Sequence, residues 1–418
     1  MTDNPRLAKV SILLSQQKYN EAGQLLKELL AEDANDIRYL TLLAEVYLQQ
    51  GKPDAARTVI DSAIGLAPGE PHLFYIKSRI ALEQDNYDEA EQLIQQAIAL
   101  EPYGADYFAW FSTIKLSRKQ FQEALELSEK ALEIDAQHLA ALNMRSTALQ
   151  KLNRPEESFL TIEGALREDA NNPYTHANYG WGLLERGQHK RALEHFKEAL
   201  KHDPNNEYAR SGMVEALKAA NPVYRLFLKY AFFMGNLTAR YQWAVIIGIY
   251  VAFRVLRALE RNNETLRPFL TPLTLLIGIF AFSTWVITPL SDLLLRLNPY
   301  GKFLLSRHQK ISSNFVGVSL LVFLAGVALY LVTGQAPWLA LTGYGFAMMP
   351  PFCVMFATTR PRHVLLFYAI AMGVIGAAAV VAAFTTGEPL NTFSAIFIIG
   401  FIAFQFVANF LAIREDNR

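Results

Sequence analysis

At 418 residues the chain is longer than one hydrophobic core usually organises, so at least two domains are expected. Its formal net charge of zero conceals two opposite halves: residues 1–220 carry 24 Lys and Arg against 33 Asp and Glu, and residues 221–418 carry 15 against 6. The acidic first half argues against nucleic acid as its main partner, and a lone cysteine, Cys353, leaves no internal disulfide to imply an oxidising compartment.

The amino-terminal residues, Met1-Thr-Asp-Asn-Pro-Arg, lack the basic end and apolar stretch of a secretory signal, so the first half is expected to stay in the cytoplasm. That half is periodic. Counting from Ala22 in steps of 34 residues gives Ala56, Ala90, Ala124, Ser158 and Ala192. A fixed period of this length predicts helix–turn–helix units stacked into a solenoid, because one pair of helices cannot bury its apolar face alone. Four residues further on stand Leu26, Ile60, Ile94, Ser128, Ile162 and Phe196, and three beyond those Leu29, Ala63, Ala97, Ala131, Ala165 and Ala199. Spacings of four and three put all these positions on one stripe of the second helix, facing the first. Gly51, Asn153 and Gly187 tolerate the left-handed conformation that ends a helix. Pro53 and Pro155 suit the first turn of the next helix, and Pro68, Pro102 and Pro204 mark the joints between units. Residues Glu207 to Ala220 are predicted to form one closing helix.

The segments from Tyr39 to Pro68 and from Tyr179 to Pro204, the latter including Gly180, resemble the tetratricopeptide repeat family. The resemblance covers roughly residues 3–206 and implies a right-handed superhelix of about six helix–turn–helix repeats. The first repeat departs from the pattern, with Arg6 and Lys9 where apolar residues are usual, and is expected to act as a cap. The family binds extended peptides or partner helices along a concave groove lined by the first helices. Counting repeat positions 2, 5, 6 and 9 gives groove candidates Arg38, Glu45, His72, Tyr75, Arg79, Trp110, Asn143, Met144, Tyr174, Asn178 and Trp181. Aromatic and Arg side chains suit anchoring, and amides suit a peptide backbone. Trp110 and Met144 equally fit ordinary packing between repeats. The positions at which some members grip a C-terminal carboxylate hold Leu7 and Ser11, Thr41 and Glu45, or Asn143 and Thr147, so the resemblance does not imply that function.

His195, Glu198 and His202 lie three and four apart on one helix face, but without a Cys ligand or an HExxH pattern they read as a solvated surface, and no metal or other cofactor is expected.

Ahead of the apolar half, Val223 to Met234 combines apolar and aromatic residues with Arg225 and Lys229 and predicts an amphipathic interfacial helix within a linker over 221–240. Five spans of membrane-crossing length follow near Phe269–Leu290, Phe315–Val332, Trp338–Thr359, Val364–Phe384 and Phe393–Ile413. Tyr241 to Phe253 is a shorter sixth candidate, with Arg254 and Arg257 obliged to snorkel if it crosses. The expected organisation is therefore a solenoid over 3–220 and a membrane domain over 241–413. With six crossings, eleven Lys and Arg fall on the inner side and four, Arg254, Arg257, Arg261 and Arg267, on the outer. That imbalance predicts a multi-pass membrane protein with repeats and C-terminus in the cytoplasm. The stretch Pro289 to Asn314 resembles a segment of uncharacterised bacterial multi-pass proteins that carry repeats, which implies the bacterial inner membrane.

Within the bundle the last four spans hold no ionisable residue; their polar content centres on Gln405 and Asn409, a candidate intramembrane site that also fits hydrogen bonding between helices. Gly373, Gly376 and Ala377 to Ala379 offer small faces for helix contact, including self-association. Asp292 and Arg296 are spaced for an ion pair within one helix. No phosphate-binding loop or nucleophile elbow is present in the sequence. The combination predicts a non-catalytic, membrane-anchored adaptor for a protein or peptide partner. The alternatives are a transporter or channel component resting on Pro350, Pro351, Gln405 and Asn409, or a lipid-acting enzyme using Arg307, His308, Arg360, Arg362 and His363.

Overall fold

The computed structural model describes residues 5–297, 301–356 and 363–416, and among them every regular element is a helix. They divide into two compact units meeting in sequence at Ala170 and Asn171. Arg360 and Arg362 lie outside the described residues.

The first unit holds five helix pairs: α1 (Pro5–Ser15) with α2 (Tyr19–Glu32), α3 (Ile37–Gln49) with α4 (Pro53–Leu66), α5 (Pro71–Glu83) with α6 (Tyr87–Leu100), α7 (Ala105–Ser117) with α8 (Phe121–Ile134), and α9 (Leu139–Lys151) with α10 (Pro155–Glu168). The small-residue stripe is buried throughout: Ala56, Ile60 and Ala63 are fully shielded, as are Ala90, Ile94 and Ala97. Polar contacts repeat with the same period. Ser78 Oγ donates to Ala90 O at 2.8 Å and Ser112 Oγ to Ala124 O at 2.7 Å, each a first-helix hydroxyl bonded to a second-helix carbonyl. Within each pair the turn contains one left-handed residue: Gln17, Gly51, Asp85, Lys119 and Asn153 have φ between 57° and 66°. At Gly51 the geometry closes with Lys52 N donating to Tyr47 O and Gly51 N to Leu48 O, a pair of hydrogen bonds that satisfies two terminal carbonyls. In the first pair Val10 and Leu13 face the core while Arg6 turns outward to Glu32, 2.6 Å away.

The second unit begins with a further pair, α11 (Pro173–Glu185) and α12 (His189–His202), followed by α13 (Glu207–Lys218) and α14 (Pro222–Gly235). Phe196 of α12 fills the space that Gly180 and Gly212 leave: a Cβ on Gly212 would stand 2.2 Å from its ring. Six long helices and one short turn follow: α15 (Ala239–Asn262), α16 (Arg267–Leu295), α17 (Gly301–Leu304), α18 (Arg307–Thr333), α19 (Pro337–Val354), α20 (Val364–Thr386) and α21 (Thr392–Asp416). Five of them, α15, α16, α18, α20 and α21, are long and apolar enough to cross a membrane; α19, where a span was expected over Trp338–Thr359, is not among them, its 18 residues including Pro350 and Pro351, whereas the shorter candidate at Tyr241 is. α15 is longer than the Tyr241–Phe253 stretch expected, because Arg254, Arg257 and Arg261 are good helix formers that extend it by more than two turns.

These helices alternate in direction. α16 ends beside α13, where Val214, Leu295 and Leu305 cluster, so α18 starts at that same end. α19 returns to it, with Ser312 Oγ of α18 donating to Phe352 O at 2.6 Å. Leu365 and Leu411 then share one cluster, which brings the start of α20 and the last turns of α21 together. α18 and α19 pack backbone against backbone: a Cβ on Gly345 would stand 2.5 Å from Phe323 N and one on Gly326 2.8 Å from Thr342 N. Gly376 of α20 packs against Tyr344 and Phe397, so its small face is used within the chain.

Candidate functional site

In the first unit the groove candidates lie on the first helices α3, α5, α7 and α9. Tyr75 is the centre of the set. Its ring lies 5.5 Å from His72, 5.7 Å from Tyr107 and 6.0 Å from Trp110, the last edge-on. The Arg79 guanidinium sits 5.6 Å from the Tyr75 centroid and reaches Glu45, one period earlier, at 3.2 Å. Trp110 is half-buried and its Nε1 donates to Ser78 Oγ at 3.0 Å, so the indole is tied to the same hydroxyl that staples α5 to α6. Burial pushes the Tyr75 pKa above its usual range, against the opposing influence of Arg79, and the hydroxyl stays neutral.

Arg38 is exposed and bonds Asp36, the residue that caps α3 through Arg38 N and Tyr39 N. Asn143 and Met144 are buried: Asn143 donates to Leu139 O at 2.9 Å and Met144 Sδ accepts from Thr113 at 3.2 Å. Their side chains are spent on packing, whereas Arg38, His72, Tyr75, Arg79 and Trp110 keep accessible surface.

The second unit carries a separate group. Tyr174 stacks on Tyr208 with centroids 6.3 Å apart, and Tyr208 donates to Asn178 Oδ1 at 3.3 Å. Trp181 donates to Tyr208 O and packs edge-on against both Phe196 and Phe232 of α14. Tyr174, Asn178 and Trp181 are thus joined on α11 and linked through Trp181 to α13 and α14.

Models of the tetratricopeptide repeat family match residues 13–80, 71–103 and 173–206. The N-terminal part carries tetratricopeptide repeats. A thermophilic tetratricopeptide repeat protein of Thermus thermophilus is 19% identical, covering 43% of this chain and 98% of its own, with a TM-score of 0.41. One from Parabacteroides merdae is 16% identical over 50% of this chain and 81% of its own, with a TM-score of 0.45. YrrB, described as a tetratricopeptide repeat protein with an unusual peptide-binding site, is 17% identical over 44% and 95%, with a TM-score of 0.31. Among curated proteins none matches the chain.

Below the last tetratricopeptide repeat, the structure contains a buried polar cluster that sequence reasoning missed. Lys218, the last residue of α13, has a fully buried ammonium 2.7 Å from Asp292 Oδ1 of α16 and 3.1 Å from Glu215 Oε1. Tyr224 of α14 donates to the other Glu215 oxygen. Burial lowers the Lys218 pKa, but Glu215 and Asp292 together hold it above the usual range, so the ammonium persists. Asp292 therefore does not pair with Arg296, four residues on, as its spacing suggests. Arg296 bonds Asn314 of α18 instead. The available signal was an Asp inside an otherwise apolar run, which demands a buried partner somewhere in the fold.

Of the three residues expected on a solvated surface, His195 departs from it: its Nδ1 lies 3.0 Å from Nδ1 of the buried His176, with the rings stacked, whereas His202 is exposed and stands 3.8 Å from Glu198. Among the described residues no group of three or more His, Cys, Asp or Glu is placed to hold a metal. Gln405 is exposed on α21 and Asn409 is half-buried. Of the basic lipid-enzyme set, Arg307, His308 and His363 are described, and the His308 ring lies against Phe356.

Proposed function

We propose that the chain is a membrane-anchored adaptor whose repeats bind an extended protein or peptide segment and hold it at the bacterial inner membrane. In this reading residues 3–220 are a cytoplasmic repeat domain, 221–240 an interfacial linker and 241–413 a bundle in the bilayer, with no chemical step of its own. The observation that carries it is the accessible ladder of Tyr75, Trp110 and Arg79 on successive first helices, where large amphipathic side chains are held rigidly and lose little entropy on binding. The anchor is supported by the five long apolar helices and by α14, whose Val223, Leu226 and Phe233 form one exposed apolar face. The orientation is supported by charge. Arg225, Lys229, Arg240, Arg296, Arg307 and Lys310 stand near the α13 end of the bundle, and Arg254, Arg257, Arg261 and Arg267 at the opposite end. A transport reading built on Gln405 loses its motive, because that side chain lies on the perimeter of the bundle.

The test is photocrosslinking of the full chain in native membranes with a reactive residue at Arg38 or His72. One discrete adduct that disappears with Tyr75→Ala plus Trp110→Ala is expected. No adduct, or one indifferent to those substitutions, rejects the groove.

A further inference from the structure

Gln405 lies within the apolar window of α21, exposed on the outer side of the helix, and neither it nor Asn409 has a hydrogen-bond partner among the described residues. In hydrocarbon an amide without a partner is costly, so this face calls for another polar group that the chain itself does not supply. The surrounding residues give the geometry. Ala395, Ile398, Ile402, Gln405 and Asn409 are spaced three, four, three and four, the register of one seam of a left-handed helix pair, and all but the half-buried Asn409 are exposed. Most of the remaining apolar surface of α21 lies off this line, and Phe397, Phe404, Ala408 and Leu411 face the bundle.

We infer that α21 pairs two copies of this chain side by side in the membrane, with Gln405 and Asn409 hydrogen-bonding across a two-fold axis. The inference rests on the bundle lying in a bilayer. Two copies inserted with the same orientation present α21 in parallel, and a parallel pair about a two-fold axis sets each seam residue opposite its own equivalent. An amide suits that arrangement because it both donates and accepts, so Gln405 satisfies Gln405 of the other copy, as Asn409 does Asn409. A lone apolar helix from another protein would leave both amides unpaired, which is why a second copy is the better occupant. Ala395 at the far end of the seam permits close backbone approach. The small face of α20 is closed by Tyr344 and Phe397, so α21 and not α20 carries the contact.

The experiment is disulfide crosslinking of the full chain in isolated membranes, in a Cys353→Ala background. Ile398→Cys and Ile402→Cys are compared with Ile396→Cys and Ala403→Cys, which are exposed on α21 but off the seam. Oxidation is expected to yield a covalent dimer from the two seam positions and little from the other two. Gln405→Leu with Asn409→Leu should weaken self-association in detergent roughly three- to tenfold, the modest range of hydrogen bonds between membrane helices, while Gln405→Asn restores part of it. Equal crosslinking at all four positions, a monomer of single mass, or a crosslink to a different protein overturns the inference. Release of the chain from membranes by alkaline carbonate defeats instead the membrane reading on which it rests.

Discussion

Lys218 and Asp292 form an ion pair of 2.7 Å in which neither side chain is more than 3% exposed, joining the helix that closes the repeats to the first long apolar helix that returns to it. Water cannot replace either partner there. Asp292→Leu leaves the Lys218 ammonium buried with Glu215 alone, and breaking a buried pair from one side typically costs about 3–5 kcal/mol. The thermal midpoint of the purified full chain should therefore fall by several degrees. Lys218→Leu with Asp292→Leu removes both charges and should recover part of the loss, a coupling that a double-mutant cycle measures directly. Additive effects would show that the pair contributes no interaction of its own.

The glycines around Phe196 set a steric limit. A methyl group on Gly212 would meet the Phe196 ring at 2.2 Å and one on Gly180 would meet it at 2.7 Å. Overpacking costs about 1–3 kcal/mol where neighbours can shift, and a fully buried ring between two helices has little room to do so. Gly212→Ala should destabilise the chain near the top of that range, and combination with Phe196→Leu should relieve it. A chemical denaturation midpoint for each variant provides the check.

Much of this was readable in advance, for a physical reason. A 34-residue period repeats the same contact, so Ala90, Ile94 and Ala97 announce the buried face of every second helix. Partnerships outside the period were not readable. Asp292 is spaced for Arg296, yet burial beside α13 gives it Lys218, a residue remote in sequence that no helical spacing selects. Asn143 and Met144 occupy groove positions by counting, but the same first-helix faces also meet the neighbouring repeat, and there they are consumed by packing. The turns show a subtler case. Gly51 and Asn153 advertise a left-handed residue and Asp85 does so weakly, whereas Gln17 and Lys119 adopt the same backbone with side chains that give no such signal.

Asp85 offers the clearest test of that strain. At φ 61° an L-residue other than Gly is held in a region that costs about 1–2 kcal/mol, of which a glycine gives back part through its greater freedom in the unfolded chain. Asp85→Gly should therefore stabilise the third repeat by roughly 0.5–1 kcal/mol. Amide hydrogen exchange in α5 and α6 should slow accordingly. Faster exchange would mean that the carboxylate contributes more than the backbone strain it imposes.

The His176–His195 contact makes the last repeat sensitive to acid. Burial, then the neighbouring His176 and Arg191, lower the His195 pKa from 6.5 to about 4, with Glu198 opposing them weakly. One Nδ1 must donate and the other accept, an arrangement that requires at least one neutral ring. The folded state therefore prefers neutral His195, and between pH 6.5 and pH 4 the unfolded chain binds the extra proton. Stability is complete above that window and declines as pH falls through it. Allowing for partial exposure, the loss between pH 7 and pH 5 should be about 1 kcal/mol. His195→Gln keeps a polar side chain without a titrating ring and should flatten the dependence of the unfolding midpoint on pH across this range, whereas an unchanged slope would assign the acid sensitivity to other groups.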